Sequence, residues 1–521
     1  MVDRVRSLCM VLLAVSLALT AFGQDVALDS DTLSGLPIRA IGPAAMGGRI
    51  AEIVAVREKQ RLTIYVGSAS GGVWKSLDSG TTFKPIFDKQ PSLSIGSVAI
   101  DPSNSQTIWV GTGEAAVRNS VSVGTGVYRS RDGGENWEMV GLPDSEHVSR
   151  LVAHPKDGNT VYACALGHLW NSNAERGVFK TTDGGKTWNK VLYRNDSTGC
   201  ADLAMDPQDP NVLYAGMWDV RREPHNFRSG GPGSGLFKST DAGATWRELR
   251  KGLPEGDLGR IGIGVSASKS TRVYAVVEAR NHTALFRSDD AGDSWTEVNN
   301  SFNISGRPFY FARIVVDPRN PDRVYKPGFF LTVSDDAGKS FSAAFSTSEA
   351  QPGEGLHSDF HTLWINPENP DQMLVGTDGG VYQSLDQANH WRYLSSLPVS
   401  QFYHVSADMA EPYNVYGGLQ DNGTWMAPSR AVDAIANRHW RNIDFGDGFW
   451  AFSDPADPDY AYAEYQGGRI SRFRKTTGES RDIRPLPRAD EPVFRFNWNA
   501  PIHLSPNHPG TVYLGGQFLF R

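Results

Sequence analysis

Eight residues, Ser239-Thr240-Asp241-Ala242-Gly243-Ala244-Thr245-Trp246, constrain the fold more than any other stretch of the 521-residue chain. They read S-x-D-x-G-x-T-W. Copies at 76–83, 130–137, 181–188, 288–295 and 334–341 differ by one or two exchanges, and 384–391 keeps only Ser, Asp and Trp. The central aspartates are Asp78, Asp132, Asp183, Asp241, Asp290, Asp336 and Asp386, spaced 46 to 58 residues apart. A period of that size marks supersecondary units that bury their apolar faces by stacking on one another. In each copy an alternating run such as Gly235-Leu236-Phe237-Lys238-Ser239 reads as a strand. The Asp side chain can then accept backbone N–H bonds, and the Gly permits positive φ. The closing Trp opens the returning strand. The motif is a hairpin clasp, and seven equivalent aspartates point to structure rather than catalysis.

A second landmark lies between the clasps. It is fullest at Asp206-Pro207-Gln208-Asp209-Pro210-Asn211-Val212-Leu213-Tyr214. Its anchor residue recurs at Tyr65, Trp109, Tyr162, Tyr214, Tyr274, Tyr325, Leu374, Tyr416, Tyr462 and Tyr513, which makes ten units. Each reads as four strands; in unit 2 they are expected at 95–100, 107–111, 126–130 and 136–140. Short antiparallel strands repeated in this way predict an all-β chain, a β-propeller. The clasp disappears after Asp386. That shift divides the chain into a seven-bladed propeller at 40–395 and part of a second at 396–521, which stops mid-blade at Arg521. One ten-bladed ring is the alternative.

Residues 1–23 read as a secretory signal, with Arg4 and Arg6 before the apolar run and a cut between Gly23 and Gln24. A lead-in follows at 24–39. The protein is then expected to be secreted or periplasmic, without stable membrane insertion, and monomeric. A net charge of −7 argues against nucleic acid as a partner. Cys164 and Cys200 are the cysteines outside the signal; they can pair in an oxidising compartment or stay as buried thiols.

The strand order puts two families of loops on the face opposite the clasps, which is the expected binding face. Three are long, at 112–125, 165–176 and 217–234. They carry Glu114, Arg118, Asn119, His168, Trp170, Trp218, Arg221, Arg222 and His225. Aromatic and arginine side chains there suit a glycan, a peptide or an anionic group. The alternative is that these loops pack on one another. The sharpest cluster is His357-Ser358-Asp359-Phe360-His361. Strand alternation would put His357, Asp359 and His361 on one face, as a divalent-metal site or as a hydrogen-bonded network. By repeat position His404 and Asp447 reach the same mouth, with Asp378, Gln420, Asp421 and Asn422 from neighbouring loops. Asp378, Asp421 and Asp447 are the candidates for acid/base work.

The clasps resemble the Asp boxes, or BNR repeats, of sialidases, sortilin-type receptors and xyloglucanases. The fuller phrases, such as Tyr416-Gly417-Gly418-Leu419-Gln420-Asp421-Asn422-Gly423 and Gly446-Asp447-Gly448-Phe449-Trp450, resemble exported bacterial proteins of the sortilin N-terminal-like and glycosyl-hydrolase-like groups. The resemblance covers roughly 40–521 and implies a propeller. It leaves function open, because fold does not fix activity. Xyloglucanases resemble this chain in having tandem propellers, and they place a catalytic Asp in a D-x-G-G turn. The matching turn here is Ala69-Ser70-Gly71-Gly72. The reading reached from sequence is an exported propeller that binds a peptide, protein or glycan on its loop face. The alternatives are a glycoside hydrolase with its carboxylates at an inter-propeller cleft, and a metal-dependent hydrolase using His357, Asp359 and His361.

Overall fold

The computed structural model describes residues 47–118, 121–280, 282–344 and 355–521, with Thr32 and Ile41. The expected signal at 1–23, the lead-in at 24–39 apart from Thr32, and Asn119 lie outside the described residues. No helix among those described is long and apolar enough to cross a membrane.

Among the described residues ten antiparallel sheets follow one another in chain order: eight of four strands, a fourth sheet with a fifth strand added, and a three-stranded tenth. The chain is an all-β propeller protein. The first sheet is Ile50–Glu58, Arg61–Ser68, Val73–Ser76 and Lys84–Pro85. The second is Ile95–Asp101, Asn104–Thr112, Val127–Ser130 and Glu138–Gly141, within three residues of the expected bounds. All ten anchors fall on second strands. An anchor tyrosine buries its ring and turns its hydroxyl outward to the next sheet's clasp region: Tyr162 donates to Ala242 O (2.8 Å) and Tyr214 to Ala291 O (2.9 Å).

The cores lie between sheets. One cluster joins Tyr65 and Val73 of the first sheet to Ile95 and Ile108 of the second. Equivalent clusters join the second to the third sheet, and so on to the seventh. Another then joins Leu374 and Val381 of the seventh to Ile50, Ile53 and Ile64 of the first. Seven sheets therefore close a cycle. Two further clusters link the eighth sheet to the ninth and the ninth to the tenth. The described residues from Gly47 to Arg521 belong to one compact unit.

Each clasp is a closed set of hydrogen bonds. Ser239 Oγ donates to Asp241 Oδ1 (2.7 Å) and accepts from Gly243 N (2.8 Å). Asp241 accepts from Thr245 N at Oδ1 (2.8 Å) and from Thr245 Oγ1 at Oδ2 (2.5 Å). The seventh clasp keeps the geometry despite its sequence. Ala388, at φ +73°, donates its N–H to Ser384 Oγ, and His390 bonds Asp386 through both its backbone N–H and its ring. The residue just before the clasp adds a link the sequence did not reveal. Lys75, Arg129, Lys180, Lys238 and Arg287 each donate to a clasp carbonyl of the next sheet, at Gly133, Gly184, Ala242, Ala291 and Ala337. The first four also lie over their own sheet's anchor ring.

One expectation changes, and one open alternative is resolved. The stretch at 217–234 is largely a β-hairpin: the second strand of the fourth sheet runs on as Leu213–Glu223 and pairs with Asn226–Ser229. Cys164 and Cys200 form a disulfide joining the third and fourth sheets, and both residues are fully buried.

With its cysteines 36 positions apart in the chain, this crosslink should contribute about 3–4 kcal/mol. Replacing both cysteines by Ala should lower the thermal midpoint and remove its sensitivity to reductant. An unchanged midpoint would mean the bond does not form. The clasp carboxylates of Asp132, Asp183, Asp241, Asp290 and Asp336 are drawn down to about 2, first by the side chain four residues on. Depressed carboxylates stabilise fully above their unfolded pKa and lose that contribution as pH falls through the folded value. Asp241→Asn should therefore lower the midpoint more at about pH 6 than at about pH 2, measured by calorimetry across that window.

Candidate functional site

Two spaces open on the loop face. The axial channel of the seven-sheet cycle holds only about 60 Å³, lined by residues of all seven sheets, from Arg49 and Gly96 to Arg313 and His361. Ion pairs fill it. Glu52 meets Arg150 (3.1 Å) and Arg313 (2.8 Å), and Arg150 meets Asp202 (2.9 Å). A sugar ring does not fit there; sites for such ligands run to hundreds of Å³.

The second space is a cleft of about 540 Å³. Arg118, Arg307, Tyr310, Asp359 and Asp378 come from loops of the second, sixth and seventh sheets. Tyr403, Gln420, Asp421, Asp447, Phe449, Trp498 and Asn499 come from the eighth sheet onward. The hairpin turns explain the placement of two carboxylates. Thr377 pairs with Gly380 across Asp378-Gly379, and Leu419 pairs with Gly423 across Gln420-Asp421-Asn422. Asp421 stands at φ +58° and Asp359 at φ +64°, left-handed backbone that few non-glycine residues adopt and that recurs at functional sites.

Arg49 sits beneath the cleft, 2 % exposed. Its Nε meets Glu114 Oε1 (2.6 Å) and its Nη1 meets Asp378 Oδ2 (3.4 Å) and donates to Tyr310 OH (3.3 Å). Its Nη2 donates to Gln401 Oε1 (3.4 Å) and Gln420 Oε1 (3.3 Å). Asp378 also accepts from His361 Nε2 (2.8 Å). Burial pushes the Asp378 carboxyl up, but Arg49 and His361 outweigh it and hold it well below the usual carboxylate range. Asp421 differs. Burial, then the charges of Asp378 and Asp447, push it up to about 8, so it carries a proton near neutrality, which it donates to Asp378. Gln420 Nε2 donates to Asp421 Oδ2 (2.8 Å). Asp447 Oδ1 accepts from Asp421 N (2.8 Å) and its Oδ2 from Trp498 Nε1 (2.9 Å). Asp359 is raised by burial and by Asp378, and its carboxylate accepts from Ser358 Oγ (3.1 Å).

Of the residues expected to meet a ligand, Arg118 and Gln420 line this cleft with Asp359, Asp378, Asp421 and Asp447. Others do not. Glu114 is buried against Arg49. Trp218 is fully buried with Val117, Leu166 and Leu169, because the long loops pack on one another. Arg221 and Arg222 ride on the hairpin of the fourth sheet. His168 is held by Asn171 and Asp144, and Trp170 is exposed, but neither reaches the cleft. The Asn422 amide donates to Asp378 O and Gln420 O, which makes it a brace. His404 stacks on Trp450 with ring centres 3.6 Å apart and bonds Asn499 at the rim.

The expected alternation of His357, Asp359 and His361 also fails. The strand begins only at Phe360, with a register shift between Phe360 and Thr362, and Asp359 lies outside it in left-handed backbone. His357 turns to Asp421 O (3.2 Å) while His361 turns to Asp378. Among the described residues no group of three or more His, Cys, Asp or Glu side chains is placed to hold a metal ion. Arg49, Arg307, Tyr310, Tyr403, Phe449 and Trp498 escaped the sequence reading. Arg49 stands in Gly47-Gly48-Arg49-Ile50, just before the first strand of the first sheet, the position that Asp359 holds before the first strand of the seventh.

Comparison with known proteins agrees with this architecture. A family model described as "Sortilin, neurotensin receptor 3" matches residues 71–217 and 125–253. A xyloglucanase from Acetivibrio thermocellus is 23 % identical over 378 residues, 63 % of this chain and 42 % of that protein. A xyloglucanase from Paenibacillus is 27 % identical over 440 residues, 70 % and 40 % respectively. One from Hypocrea jecorina is 28 % identical over 418 residues, 68 % and 47 %. The chain thus spans less than half the length of these relatives. The crystal structure of an ancestral GH74 enzyme shares the fold at 16 % identity and a TM-score of 0.63, covering 91 % of this chain and 67 % of that one.

Arg49→Met should be strongly destabilising, by about 3–5 kcal/mol, because it strands two buried carboxylates. Denaturant unfolding checks this. A loss under about 1 kcal/mol would mean Arg49 does not hold the cleft together.

Proposed function

We propose that this protein is a glycoside hydrolase whose substrate lies in the cleft between the seven-sheet cycle and the sheets that follow it. The reading treats 40–395 and 396–521 as two propellers. The observation that carries it is the convergence of carboxylates from the seventh, eighth and ninth sheets on one cleft large enough for sugar rings. The curated relatives are named as xyloglucanases, and this supports a glycan over a peptide.

Glycoside hydrolysis needs one carboxyl group carrying a proton and one able to take a proton from water or attack. Asp421 is the general acid. Its raised pKa keeps the proton that the leaving-group oxygen requires. Asp378 hydrogen-bonds Asp421, so it stands too near to serve as an independent base, and Arg49 holds it. It positions and tunes Asp421. Asp447 does the same from the other side through the Asp421 N–H. Asp359 is the base. It lines the cleft, and among the described residues its carboxylate accepts a hydrogen bond from Ser358 alone. Ala69, buried at the turn where xyloglucanases place a catalytic Asp, supplies no carboxylate. The division of labour here is therefore this chain's own.

Hydrolysis of β-glucans and xyloglucan by the purified protein, followed by reducing ends, tests this. Asp421→Asn and Asp359→Asn should each lower kcat by about 10²–10⁴-fold with the fold intact. Activity should fall as pH rises through about 8, where Asp421 gives up its proton, and should also fall on the acid side as Asp359 becomes protonated. Full activity in Asp421→Asn on any cleaved glycan would refute the assignment.

A further inference from the structure

The cleft contains cations that its carboxylates do not neutralise. Arg118 reaches across from the second sheet and donates from Nη2 to Tyr403 OH (3.3 Å). Its Nε is buried with no hydrogen-bond partner. Arg307 is exposed at φ +54° and lies over the Tyr310 ring, 4.3 Å from its centre. Neither guanidinium has a carboxylate at ion-pair distance among the described residues, although both line a cleft with four aspartates. Those aspartates are engaged elsewhere. Asp378 meets Arg49, Asp421 and Asp447 accept from Gln420 and Trp498, and Asp359 accepts from Ser358. Arg49, Arg150 and Arg313, by contrast, each have a carboxylate partner.

A half-buried guanidinium with an orphaned N–H is costly until an acceptor arrives, and its planar fork matches a carboxylate. Beside the two arginines stand ring faces suited to sugars. Tyr403 packs on Phe449 with ring centres 4.5 Å apart, and Trp498 is 62 % exposed. We propose that the cleft is selective for an acidic glycan, with the carboxylate of a uronosyl residue lying between Arg118 and Arg307. The inference rests on the glycan reading above and narrows it to a charged substrate class. A peptide C-terminus carries the same group. The sugar is favoured because the arginines line the same cleft as Tyr403, Phe449 and Trp498, and because the cleft also holds the acid and base that a glycosidic bond requires.

Titration calorimetry on the full chain tests the proposal, with uronic-acid-containing oligosaccharides, neutral glucan and xyloglucan oligosaccharides of equal length, and peptides with free C-termini. The uronosyl ligand should bind at least about ten-fold more tightly than the neutral ones, and added salt should weaken it. Arg118→Gln and Arg307→Gln should each reduce that preference by about 10- to 100-fold. Arg307 is exposed, so its variant keeps the test valid if Arg118→Gln does not fold. Equal or tighter binding of neutral glycans, insensitive to both variants, would overturn the acidic-substrate inference and leave the glycan reading standing. Binding of a peptide carboxylate that the variants abolish would overturn it in favour of a peptide. No binding of any glycan would overturn both.

Discussion

The structure of the site depends on one buried cation. Arg49 enters at the start of the first sheet and meets Glu114 of the second, Tyr310 ahead of the sixth, Asp378 of the seventh and Gln401 and Gln420 of the eighth. A guanidinium in that position must be satisfied all round, because an unpaired buried charge costs several kcal/mol. Its five donors supply the geometry, and each partner belongs to a different loop. The same interaction decides the chemistry above it. Asp378 stays ionised because Arg49 and His361 offset its burial. Asp421, one step farther from the cation and pressed against that fixed charge, keeps its proton. Two aspartates in one cleft are thus driven apart in pKa, the arrangement acid/base catalysis requires.

On the opposite face the repeated clasp performs a different task. It closes a hairpin in each of the first seven sheets. Through the cation before it, it also fastens five blades in succession to the next. The link ends where Val333 and Gln383 replace the cation, in the sixth and seventh sheets. The seventh sheet is instead joined to the first by a shared core. The clasp face and the cleft face are therefore separate, and loops can vary on one without loosening the other.

How much of this was legible in the sequence follows from the range of each interaction. The clasp and the anchor are local and periodic, so the ten units, their strands and the face bearing the site could be read directly. Asp378, Asp421 and Asp447 could be placed at a common mouth because repeat register fixes which loop each occupies. The partner of a loop residue could not be read. Trp218 and Glu114 looked like ligand contacts, but loop packing and Arg49 bury them. Alternation misled at Asp359, because a register shift and left-handed backbone precede the strand. Arg49, Tyr310 and Tyr403 act across separations of hundreds of residues, and no pattern along the chain signals such pairing.

The most direct test of the account is a crystal structure of the Asp421→Asn protein soaked with an oligosaccharide long enough to span the cleft. The account predicts a sugar chain running past Trp498 and Tyr403, with one glycosidic oxygen at residue 421 and Asp359 facing the anomeric carbon from the other side. An oligosaccharide bound on the clasp face, or one in the cleft whose glycosidic bonds all lie out of reach of residues 359 and 421, would contradict it.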